Sequence, residues 1–99
     1  MTREQAIAVL EGHARELRER GVARLALFGS VARGDADAES DIDLLVDIDP
    51  ARKFSLFDLA GLRLYISDIL GADVDLVQRG RLKPLLRDAI LAEAVDVLP

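Results

Sequence analysis

Residues 41–48, Asp-Ile-Asp-Leu-Leu-Val-Asp-Ile, constrain the fold of this chain more than any other segment. After an acidic start the run is mostly apolar, with Leu44, Leu45 and Val46 consecutive. A strand of that pattern is buried on both faces and belongs in the interior of a sheet. It therefore needs neighbours, and the rest of the sequence supplies them. Val22–Phe28 reads as a strand, Asp73–Val77 as a third, and Val95–Leu98 as a short edge strand.

Helices fill the intervals. Thr2 and Gln5 have capping-box spacing, and Ile7, Leu10, Ala14 and Leu17 then recur at helical spacing up to about Arg20, where Gly21 stops the helix. Gly29-Ser30 marks a sharp turn, Val31 to Arg33 a short helical turn, and Asp35–Ser40 a loop. Pro50 ends the central strand, Phe54–Leu70 is a helix closed by Gly71, and Pro84 opens a last helix running to about Glu93. This order predicts one α/β domain over residues 1–99, with a small mixed sheet of three to four strands packed with helices.

Composition narrows the class. At 51% hydrophobic the chain is not a disordered segment, and so small a body leaves part of its apolar surface for a partner or a second copy. With no cysteine, disulfide and thiolate chemistry are excluded. Thr2-Arg3-Glu4-Gln5 is polar, unlike a signal peptide, and Asp58, Arg63 and Asp68 interrupt the longest apolar stretch, so a cytoplasmic setting without membrane contact is expected. The net charge of −5 is local: Asp35 to Asp49 holds seven acids and no base, whereas the remainder holds 11 acids against 13 bases. Such a block directs attention to a cation site.

The chemistry concentrates there. Alternation puts Asp41 and Asp43 on the same side of their strand. Carboxylates that close repel one another unless a cation lies between them, and hard oxygen ligands suit Mg²⁺ or Mn²⁺. Asp75 lies within the apolar third strand, where an unpaired charge is costly; if that strand pairs beside residues 41–48, Asp75 completes the cluster as base or as a further metal ligand. Gly29 lets the backbone approach a ligand, and the Ser30 hydroxyl with the amides that follow can hold phosphate oxygens.

Gly29-Ser30-x-x-Arg33-Gly34, an acidic spacer, and Ser40-Asp41-x-Asp43-Leu44-x-Val46 resemble the signature of the minimal nucleotidyltransferases of the DNA polymerase β-type superfamily, with Asp75 as the third acid. The resemblance covers nearly the whole chain. It implies that Asp41, Asp43 and Asp75 hold Mg²⁺ or Mn²⁺ and are catalytic. It implies that Gly29 and Ser30 hold the terminal phosphates of an NTP such as ATP, while Arg33 supports the loop or touches phosphate. It further implies an antitoxin whose partner is a HEPN-domain ribonuclease toxin, inactivated by transfer of AMP to a tyrosine. The rival readings are a module of the same fold that blocks its partner without catalysis, and transfer to a small molecule or RNA. A calcium loop starting at Asp35, Asp37 and Glu39 fails because Ser40 stands where glycine is needed.

The remaining features read as structural. His13 and Tyr65 belong to packing, Asp35, Asp37, Glu39, Asp47 and Asp49 to solvent, and the basic run Arg79, Arg81, Lys83 and Arg87 to a solvated face, with no direct nucleic-acid binding expected. The Phe54–Leu70 helix, apolar nearly all round, is expected to dock the toxin or a second copy of the chain.

Overall fold

The computed structural model describes residues 1–35 and 41–99. Asp37, Glu39 and Ser40 therefore lie outside the described residues. Helices α1 (Arg3–Gly12) and α2 (Ala14–Glu19) lead into strand β1 (Val22–Phe28). Helix α3 (Gly29–Arg33) and strand β2 (Ile42–Ile48) follow, then α4 (Leu56–Leu70), β3 (Val74–Gln78), a 3₁₀ turn (Arg79–Arg81), α5 (Pro84–Glu93) and β4 (Val95–Leu98). The four strands form one mixed sheet in the order β3-β2-β1-β4. Strand β2 is central, as its composition requires: antiparallel to β1, and parallel to β3 through the α4 crossover. Strand β4 pairs antiparallel with the other edge of β1.

Directly opposed residues of a sheet share a face. Leu25 faces Val46, and Leu27 faces Leu44, on the face that joins the main core. Leu10 and Leu17 from the first two helices and Leu62, Ile66 and Leu70 from α4 close that core. A fully buried leucine or isoleucine contributes about 1.5–3 kcal/mol, so this layer dominates the stability. On the opposite face Ala26 pairs with Leu45 and Phe28 with Asp43. The aspartates therefore stand on the face turned away from the main core.

Three local features depart from the sequence reading. The first helix breaks at His13, which takes φ −110°, ψ 18°. Its Nδ1 is 2.9 Å from the Val9 carbonyl oxygen, and its ring meets the edge of Tyr65 at 6.4 Å. Gly12 offers little resistance to that break. Helix α4 starts two residues later than expected because Ser55 caps it: Ser55 Oγ accepts from the Asp58 amide at 3.2 Å, and Asp58 Oδ2 accepts from the Ser55 amide at 2.8 Å. Arg79 is not solvated. It donates through Nε, from the 3₁₀ turn to β2, to Asp47 Oδ2 at 3.0 Å, which also removes Asp47 from free solvent.

Helix α4 buries only one stripe and leaves Leu56 at 71%, Phe57 at 90% and Leu64 at 56% exposure, so its apolar surplus does stay at the surface. Among the described residues no helix is long and apolar enough to cross a membrane.

Candidate active site

Strand β1 delivers the chain to Gly29, which takes φ +74° and opens α3. A left-handed backbone there would strain any residue with a Cβ. Space is the stronger restriction. A Cβ on Gly29 would collide with Asp43 Oδ2 and stand 3.0 Å from Asp43 Cγ. The turn is thus packed directly on the carboxylate of the adjacent strand, which only a glycine allows.

The parallel pairing of β2 with β3 places Asp43 opposite Asp75. Asp41 immediately precedes β2 and is exposed. Asp43 is the half-buried member of the group. Its burial, followed by the charge of Asp75 and then that of Asp41, pushes its carboxyl above the ordinary aspartate value, while Arg33 pulls the other way. Asp75 itself is exposed. The expectation that burial would make its charge costly is therefore corrected: Val74 and Leu76 are buried on one face of β3 while Asp75 stands exposed on the other, and Asp43 carries the desolvation instead.

Ser30 is half-buried in the first turn of α3, and its carbonyl accepts from the Asp35 amide at 3.1 Å. Arg33 is exposed and held by carboxylates. Its Nη1 lies 3.1 and 3.3 Å from the two oxygens of Glu93, and its Nε 3.4 Å from Asp35 Oδ2. Those hydrogen bonds raise its already high pKa. Asp35 is exposed, as a solvated acid should be, and is also a partner of Arg33.

Glu93 is the residue that sequence reasoning missed. It is the last residue of α5, 64 positions from Gly29, and its Oε1 accepts from the Gly29 amide at 3.1 Å. Its charge also raises the Asp43 carboxyl. No local pattern marks it, because the contact is made by the return of the chain along β4.

Among the described residues no three potential ligands converge into a cage that would hold an ion unaided. The expected cluster of Asp41, Asp43 and Asp75 is thus not gathered into one cage; the strand register sets Asp43 and Asp75 side by side. The oxygen donors and their mutual repulsion both fit a divalent cation.

A pH prediction follows from Asp43. Its folded-state value is raised, so between the ordinary aspartate value and the raised one the folded chain holds a proton that the unfolded chain has released. The contribution of Asp43 to stability therefore declines as pH rises through that window. Thermal melts of the metal-free protein, taken from the ordinary aspartate range upward, should show the decline relative to Asp43→Asn, and Mg²⁺ should reverse it by favouring the ionised form. Identical profiles for the two proteins would refute the assignment.

Comparison with known proteins gives the family and the fold. Residues 10–97 match the family of the nucleotidyltransferase domain. The protein adenylyltransferase MntA of Thermococcus cleftensis is 40% identical over 98 residues, which cover 98% of this chain and 97% of the relative. A solved structure described as a candidate minimal nucleotidyltransferase superposes with a TM-score of 0.80 at 40% identity, covering 96% of this chain and 95% of the other. A complex of a tri-AMPylated Shewanella oneidensis HEPN toxin with its MNT antitoxin gives a TM-score of 0.65 at 21% identity, covering 92% of this chain and 71% of the other. At that identity the likeness is one of fold.

Proposed function

The chain belongs to the nucleotidyltransferase domain family, and we propose that it transfers AMP from ATP to a tyrosine of a HEPN-domain ribonuclease toxin, and so acts as an antitoxin in the cytoplasm. The observation that carries this reading is the juxtaposition of Asp43 and Asp75 in register beside the Gly29 turn. The adenylyltransferase name of the Thermococcus relative supports the nucleotide. The toxin–antitoxin complex of like fold supports the partner.

Each residue has a task. Asp43 and Asp75, with Asp41 at the head of β2, would hold Mg²⁺ or Mn²⁺, which would supply positive charge for the phosphates and lower the pKa of an oxygen attached to it. Gly29 lets the triphosphate approach the backbone. The Ser30 hydroxyl donates to a phosphate oxygen, and Arg33 offers two parallel donors to the outer phosphates. Asp75, open to solvent, accepts the proton of the incoming tyrosine hydroxyl. A bond forms between the tyrosine oxygen and the α-phosphorus, and the bond from that phosphorus to pyrophosphate breaks.

The acceptor arrives on another protein, which fits the exposed Phe57 of α4 and Leu85 of α5, at 90% and 97% exposure. The test is labelled ATP with Mg²⁺ and the co-expressed partner, followed by peptide mass analysis. Adenylyl groups on a partner tyrosine are expected. An unmodified partner under conditions where the chain binds ATP would reject the enzymatic reading in favour of a module that only blocks. Ser30→Glu should weaken ATP binding at least ~10-fold by calorimetry, through repulsion of the phosphates; unchanged affinity would remove Ser30 from the phosphate site.

A further inference from the structure

The donors best placed to grip a polyphosphate in this site are already occupied. The Gly29 amide donates to Glu93 Oε1 at 3.1 Å, and Arg33 Nη1 reaches both Glu93 oxygens at 3.1 and 3.3 Å. A carboxylate that takes a backbone N–H together with a guanidinium reproduces two features of a bound phosphate: negative charge and paired oxygen acceptors. Glu93 also adds its charge to a field that already contains Asp41, Asp43 and Asp75.

We propose that Glu93 is an internal competitor for the NTP polyphosphate: it holds the Gly29 amide and Arg33 while the site is free of nucleotide and gives them up when nucleotide binds. The inference rests on the nucleotidyltransferase reading of the same site. The triphosphate and Glu93 cannot both take these donors, and the like charges would repel. Release of Glu93 is cheap for a structural reason. None of the ten residues of α5 is buried, so the helix that carries Glu93 is weakly anchored along its length. Strand β4 begins two residues further on and pairs with β1, which limits the displacement to the end of the helix.

Glu93→Gln separates charge from shape. Glutamine can still accept from the Gly29 amide, so the turn keeps its partner, but the negative charge is gone. Calorimetry with Mg-ATP, inorganic tripolyphosphate and adenosine on the full chain reads the result. The variant should bind ATP and tripolyphosphate about threefold or more tighter than wild type, with the gain shrinking as salt is raised, and adenosine affinity should not change. Glu93→Ala, which removes the acceptor as well, should also gain affinity and covers the case in which the glutamine variant does not fold. Unchanged or weaker ATP binding in both variants would overturn the proposal and make Glu93 a fixed support of the turn. Absence of ATP binding by the wild-type chain would overturn it together with the nucleotidyltransferase reading, so the two failures are distinguishable.

Discussion

Changing Asp41 and Asp43 together to asparagine should abolish nucleotide transfer to the partner, by at least ~10³-fold, equivalent to about 4 kcal/mol of transition-state stabilisation. The substitutions keep shape and remove charge. Asparagine still fits beneath Gly29, and the register with Asp75 is set by the backbone, so the fold should persist. Metal-free stability should rise, because there is no longer a charge at position 43 to be desolvated by burial and repelled by Asp75. The assay is incorporation of labelled AMP into the co-expressed partner, with thermal melting as the control for folding. A double variant that labels its partner at the wild-type rate would remove the metal-site assignment. The same protein divides catalysis from blocking. At matched expression it should bind the toxin yet fail to protect cells; full protection would show that neutralisation needs only docking.

The second large effect is expected at Gly29. Gly29→Ala should lower folding stability by at least about 1–2 kcal/mol for the left-handed backbone alone, and the new methyl should displace the Asp43 carboxylate that it meets. Displacement by about an ångström is enough to cost transfer on the order of 10²-fold. Gly61→Ala is the control. It lies inside α4 with nothing within 4 Å of the added atom, so it should be neutral or stabilise the helix by up to about 1 kcal/mol. Denaturant unfolding and the labelling assay, run on both variants, check the pair. Equal behaviour of the two would mean that Gly29 does not position Asp43.

Much of this was legible along the chain, because the signals concerned are local. The apolar run at Leu44, Leu45 and Val46 marks a central strand. Asp41 and Asp43 are two apart, and Asp75 sits in a Val-Asp-Leu-Val strand. Pro84 and Gly71 mark a helix start and a helix stop, which are properties of single residues. The break at His13 was hidden because the apolar spacing continues through it. The Ser55–Asp58 cap has a spacing that could be read, but Asp58 drew attention as an interruption of an apolar helix rather than as its first turn. Glu93 and the Arg79–Asp47 pair lie beyond such reading. Their partners are 64 and 32 residues distant. The exposure of Asp75 was misjudged for a related reason, since an apolar strand does not say whether both of its faces are covered.

The pairing of β2 with β3 also sets how this protein should fail. Parallel strands stand ~4.8 Å apart, fixed by backbone hydrogen bonds rather than by side-chain fit. The gap between the Asp43 and Asp75 backbones is therefore a ruler built into the sheet. A cavity made elsewhere in the core raises the free energy of the folded state but does not stretch the ruler, because the ladder is either intact or broken. Damage to the interior should accordingly reduce the number of working molecules and leave each survivor working at full speed.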